Sequence, residues 1–244
     1  MWQDTIPFSQ NPHLVKPGRG FVSSANQLPT DTTYPYYIGG SHDLYRGMEI
    51  NKNLQRMFNI SPADMQALQN DNHNLLAEML LPVLLKNIDP EKLDADELKY
   101  FNTVRRWNRR NDAGEKGSTV FRLWMDSLEQ EVWSDELANA DQPTTLPQEA
   151  TLAEALKRDS AFSFIDNVNT PTIETLSDVA TAAFKKAAIA LEQLEGAGRL
   201  DWGRYKGTGI RHLLRLAPFS RYGLLTGGGE HIINATKQFH GPSW

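Results

Sequence analysis

Residues 170–198 read TPTIETLSDVATAAFKKAAIALEQLEGAG, and this stretch sets the fold class. Ile173, Leu176, Ala180, Ala183, Ala187, Leu191 and Leu194 recur at steps of three and four. That period lays them along one stripe of a helix and excludes the two-residue alternation of a half-buried strand. Thr170-Pro171 opens the segment, and Gly196 and Gly198 close it. The alanines on the stripe let a neighbouring helix approach closely, so the spacing predicts a long helix in a helix-on-helix core.

Working upstream, a surface connection is expected between about 139 and 150 (Asn-Ala-Asp-Gln-Pro-Thr-Thr-Leu-Pro-Gln-Glu-Ala), then a short helix near 150–159. Val120, Phe121, Trp124, Leu128 and Val132 form another helical stripe. Asp89-Pro90-Glu91 reads as a helix start leading into Leu93, Leu98, Phe101, Val104 and Trp107. Ser61-Pro62-Ala63-Asp64 supplies an N-cap, a proline at the first helical position and an acid at the third. A helix over about 62–86 is predicted from Met65, Leu68, Leu75, Leu76, Met79, Val83 and Leu84, with Asn72 and His73 interrupting its middle. Helical character begins near Tyr45.

Residues 1–40 differ in kind. Pro7, Pro12, Pro17, Pro29 and Pro35, with Gly18, Gly20, Gly39 and Gly40, exclude long helices. One short strand is expected at Phe21–Asn26, bounded by Gly20 and Pro29. The last fifty residues return to a glycine-rich mixture in which a few further short strands are expected. The fold class is therefore mainly α with a few short strands (α+β). We read 1–244 as a single partial domain, with an extended segment at 1–50, a helical region at 51–217 and a different C-terminal stretch at 218–244. There is no internal repeat.

The 244 residues are 40% hydrophobic and 23% charged, an ordinary globular composition that argues against wholesale disorder. A formal charge of -5 speaks against a dedicated nucleic-acid binder. The absence of cysteine removes disulfides, thiolate metal sites and cysteine nucleophiles. The N-terminal residues lack the basic and apolar regions of a signal peptide, and no apolar run approaches the length of a membrane span. The most apolar stretch, Met79–Leu85, is short enough to be a core helix.

Most other signals have plain readings. Arg105-Arg106-Trp107-Asn108-Arg109-Arg110 lies among Asp94, Asp96, Glu97, Asp112 and Glu115 and reads as a solvated helix end, where the dipole favours cations. Gly227-Gly228-Gly229 is followed by Glu230 rather than by Lys and Ser or Thr, so phosphate binding is not expected. The six histidines (13, 42, 73, 212, 231, 240) show no metal-ligand spacing. His42-Asp43 is a lone pair without a nucleophile signal beside it.

One constellation is more specific. Ile6-Pro7-Phe8, Asn11-Pro12 and Pro17-Gly18-Arg19-Gly20-Phe21-Val22-Ser23-Ser24-Ala25-Asn26-Gln27-Leu28-Pro29 resemble the penicillin acylase (penicillin amidase) family of N-terminal-nucleophile amide hydrolases. The resemblance continues through Tyr34-Pro35-Tyr36 and Asp43-Leu44-Tyr45-Arg46-Gly47-Met48-Glu49-Ile50. It reaches Leu213–Phe219 and ends at Phe239-His240-Gly241-Pro242-Ser243-Trp244, in matching order. By that resemblance Asn26 is the side-chain amide that donates to the tetrahedral oxyanion, and Arg46 is the arginine that lines and orders the same site. On spacing alone the two would read as a turn asparagine and a surface arginine at a helix start.

The resemblance also implies what lies elsewhere. The family's nucleophile is a serine whose own α-amino group acts as base after autoproteolysis, whereas residue 1 here is Met and no internal serine has the family's G-S-N-N-W-type surroundings. The expectation is an interior piece of the β-chain of a four-layer αββα enzyme, catalytically inactive alone, with residues 218–244 returning toward the catalytic core. Its substrate would be an N-acylated small molecule, and its partners the α-chain and the remaining β-chain of the same precursor, with neither nucleic acid nor membrane insertion. No cofactor is expected within residues 1–244. A structural calcium is conceivable in the full-length enzyme, with Asp31 considered and not carried over. Periplasmic location follows from the resemblance alone. The alternative is a stand-alone helical interaction module whose 173–194 stripe docks a partner helix.

Overall fold

The computed structural model describes residues 5–40, 42, 44–138, 144–158 and 162–236. Backbone contacts divide the chain into two compact units, Met1–Gln69 and Asn70–Trp244.

In the first unit, a 3-10 turn at Phe8–Gln10 precedes a long irregular segment. The strand expected at 21–26 does not form. No partner strand lies beside it among the described residues, and its polar groups are met by side chains instead: Arg19 Nε donates to the Phe21 carbonyl and Gln27 Nε2 to that of Ser23. Helix α1 (Leu44–Leu54) buries Tyr45, Gly47, Glu49 and Leu54. Helix α2 (Pro62–Gln69) starts as its sequence predicts, with the Asp64 carboxylate accepting from the Ser61 N–H and hydroxyl.

The single helix expected over 62–86 is two. α2 stops at Gln69 and α3 begins at Leu75 and runs to Asn87. Asn74 caps α3 by accepting from Ala77 N at 2.9 Å, and the two interrupting residues serve cross-links: Asn72 Nδ2 donates to Asp112 Oδ1 at 2.7 Å and His73 pairs with Arg110 as an isolated bridge. Leu76, Ala77, Leu80, Leu81 and Leu84 are almost wholly buried. Asp89-Pro90-Glu91 opens only one 3-10 turn, Pro90–Lys92; α4 (Ala95–Arg106) starts four residues later, at a reciprocal capping box between Asp94 and Glu97.

The core of the second unit is α5 (Gly117–Ala138) packed on α7 (Leu176–Gly196), with α3, α4 and α6 (Glu149–Arg158) around them. Every residue of the Val120, Phe121, Trp124, Leu128, Val132 stripe is buried. Trp124 stacks edge-on against Phe184 at 4.9 Å and donates its Nε1 hydrogen to the Ala180 carbonyl at 3.0 Å. That contact is possible because Ala180 and Ala183 have no bulk to hold the helices apart.

Helix α7 starts at Leu176, later than Thr170-Pro171 implies. Thr175 and Asp178 form its capping box, while Thr170 is held in a turn with Asn167, Thr172 and Glu174. Ile173 lies outside the helix and is 83% exposed. Leu176, Ala180, Ala183, Ala187 and Leu191 are buried within this chain and Leu194 is half-buried, so these alanines and leucines pack inward rather than offering a docking face.

After α7 come the short α8 (Trp202–Lys206) and the antiparallel pair β1 (Thr208–Ile210) and β2 (Arg221–Leu224). These strands realise the expectation for the C-terminal fifty residues, and the architecture is mainly α. No helix among the described residues is long and apolar enough to cross a membrane.

Candidate active site

Asn26 has φ +63°, a left-handed conformation that asparagine tolerates better than other side-chain-bearing residues. The backbone on its N-terminal side is fixed by neighbours. Ala25, buried, donates its N–H to Gln27 Oε1 at 2.5 Å, and Gln27 Nε2 donates to the Ser23 carbonyl at 3.0 Å. Ser23 Oγ and Arg19 Nη1 both donate to Asn51 Oδ1, at 2.8 and 3.1 Å, and Asn51 Nδ2 returns to the Gly47 carbonyl at 2.8 Å. The turn is thereby registered on α1.

Arg46 occupies the first turn of α1 and donates from Nη1 to Asn26 Oδ1 at 3.1 Å. The two residues singled out by sequence are therefore in direct contact, although twenty positions apart. A guanidinium has only donors, so the contact decides which way the amide faces: Oδ1 toward Arg46, Nδ2 away from it. Asn26 is exposed on the described surface. Chemically the arrangement offers an oriented N–H donor backed by a fixed positive charge, which suits an oxygen on which negative charge develops.

In the same unit, Tyr34 and Tyr36 pack edge to face at 5.6 Å, and their hydroxyls donate to the Gln10 carbonyl and to Gln10 Oε1. Asp31 is committed locally, its Oδ1 accepting from the Thr33 hydroxyl and N–H, which holds the carboxyl below its ordinary range. Asp43 of the His42-Asp43 pair, His240 and the Phe239–Trp244 motif lie outside the described residues.

The second unit contains a cluster that spacing in the sequence does not show. Arg122 on α5 pairs with Asp126, with Glu149 of α6 and, at 3.8 Å, with Glu129. Glu149 also meets His231 Nε2 at 2.9 Å. Burial pushes Glu129 up to about 7, with the Glu149 charge adding to it. Burial works the same way on Glu149, but His231 and Arg122 outweigh it and hold Glu149 below its ordinary value. Asp126, Glu129 and Glu149 bring carboxylate oxygens within 4.8 Å of one another, a spacing compatible with a metal ion. Arg122 pairs with all three carboxylates, so a fixed cation already serves the cluster as counter-charge. Arg122 and Asp126 stand at i, i+4 on α5, while Glu149 and His231 join from distant positions.

The glycine run is likewise structural. Gly228 N donates to the Asn111 carbonyl and Gly229 N to that of Asn234, so these amides are spent within the chain and are not offered to a phosphate. Lys206, fully buried, donates to the Gly227 and Thr236 carbonyls, and desolvation lowers its pKa to about 8. Of the basic cluster, Arg110 pairs with Asp71 at 3.0 Å and Asp112 at 3.4 Å, while Arg105 and Arg106 occupy the last turn of α4.

The family model described as penicillin amidase matches residues 1–244, the whole chain. The chain therefore belongs to the penicillin amidase family.

Proposed function

We propose that this chain is a segment of an enzyme that hydrolyses the amide bond of N-acylated small molecules through an acyl-enzyme, and that Asn26 and Arg46 serve that reaction. Family membership supports amide hydrolysis. The observation that carries the assignment of residues is the 3.1 Å hydrogen bond from Arg46 to Asn26 Oδ1, which aims the opposite end of the amide outward as a donor.

In the proposed reaction a serine hydroxyl attacks the acyl carbon while the free α-amino group of the same serine takes its proton. The carbonyl oxygen becomes an oxyanion and receives a hydrogen bond from Asn26 Nδ2. Collapse expels the amine, which leaves with the proton, and water then releases the acid by the same sequence. The serine belongs to another part of the precursor, since no serine here has the surroundings of a processed nucleophile. On this reading residues 1–244 alone do not turn over substrate. An extracytoplasmic location is part of the same proposal.

The test is Asn26→Ala in the full-length processed enzyme. Turnover is expected to fall about 100- to 1000-fold, the usual effect of removing one oxyanion donor, with maturation preserved. Turnover near that of the parent would overturn the assignment.

A further inference from the structure

A side chain held at φ +63° costs about 1–2 kcal/mol in backbone energy, so the surroundings of Asn26 must enforce it. Gln27 is placed to do so. Its Oε1 accepts from the buried Ala25 N–H and its Nε2 donates to the Ser23 carbonyl, so one side chain closes two backbone hydrogen bonds around the turn that presents Asn26. The same side chain lies flush on α1 at Gly47, the residue after Arg46. A Cβ at position 47 would stand 3.2 Å from both Cβ and Oε1 of Gln27 and 3.3 Å from its Cδ. Gln27 therefore touches the loop that carries the amide and the helical turn that carries the arginine.

We propose that Gln27, seated on Gly47, is the positioning residue that holds Asn26 left-handed and in register with Arg46, so that catalytic competence depends on a residue that need not touch the substrate. The inference rests on the reading of Asn26 as oxyanion donor. Without Gln27 the Ala25 N–H loses its partner in a buried position, which favours relaxation of the turn. Relaxation to negative φ rotates the Asn26 side chain away from its alignment with Arg46. A glycine at 47 follows from the same packing, because a methyl group there would drive the amide of Gln27 off its two bonds.

Gln27→Met keeps length and volume and removes both polar atoms. In the full-length processed enzyme, assayed on a chromogenic N-acyl anilide, Q27M is expected to lower kcat about 10-fold, well short of the roughly 100- to 1000-fold effect of deleting the donor itself, with KM within about twofold. Gly47→Ala is expected to lower kcat in the same direction. The decisive comparison is N26A against N26A/Q27M. If Gln27 acts through Asn26, the double variant turns over no more slowly than N26A. Should Q27M fail to mature, Gln27→Glu, which keeps the acceptor for Ala25 N–H, replaces it in the same comparison. The proposal is overturned if Q27M retains kcat within about twofold of the parent, or if it slows N26A by the same factor as it slows the parent. A fully active N26A single variant would instead show that the oxyanion reading has failed, and the premise with it.

Discussion

Arg46 has five N–H groups and no acceptor, and that asymmetry is what turns a surface asparagine into an oriented donor. Replacing it by Met leaves the amide able to flip. We expect R46M to lower kcat by roughly 10- to 100-fold, the equivalent of a charge-assisted hydrogen bond of about 1.5–3 kcal/mol, measured on the processed enzyme by steady-state kinetics. At Glu129 the sign runs differently. Its pKa of about 7 in the folded protein stands above the ordinary 4.5, so ionisation opposes folding: the cost is absent below about pH 4.5, grows as pH rises through 7 and is complete above it. Glu129→Gln removes that cost. Its melting temperature is expected to exceed the parent's at pH 8 and to match it at pH 4. A gain of about 1 kcal/mol, discounted for remaining solvent access, corresponds to about 2–4 °C. Equal shifts at the two pH values would show that the carboxyl is not titrating as described.

At the scale of elements, periodicity located the core helices because burial on one face imposes it, and all five stripe residues of α5 are buried. Helix starts were less legible. Thr170-Pro171 and Asp89-Pro90 both look like openings, yet the chain starts α7 and α4 at the reciprocal boxes Thr175–Asp178 and Asp94–Glu97, which meet two backbone donors at once. Thr175→Ala is expected to cost about 1 kcal/mol of unfolding free energy, read by denaturant titration. Gly117 gave no local signal at all. A Cβ there would fall 2.3 Å from Cβ of Trp107, so the start of α5 is seated on that indole at glycine distance. Gly117→Ala is expected to cost more than the cap, on the order of 2–3 kcal/mol, because backbone or Trp107 must move. The strand expected at Phe21–Asn26 failed for the opposite reason: its residue types suit a sheet, but a strand needs a partner edge, which residue types cannot supply.

For the whole molecule, the Arg46–Asn26 contact was reachable from sequence only through family resemblance, whereas the Arg122–Glu149–His231 network, which joins α5, α6 and the turn at His231, was not reachable at all. The alanines of the α7 stripe are buried inside the second unit and are not available to a partner helix. Leu213 and Leu214 are exposed, as is Phe219, within a stretch that carries part of the family resemblance. If the nucleophile belongs to another part of the precursor, the purified 244-residue chain is expected to show no hydrolysis of an N-acyl anilide above the buffer rate, while the processed enzyme does. The most direct measurement of the central claim is kcat for Asn26→Ala in that processed enzyme. A fall of about 100- to 1000-fold with intact maturation is what an oxyanion donor predicts, and parental turnover would contradict it.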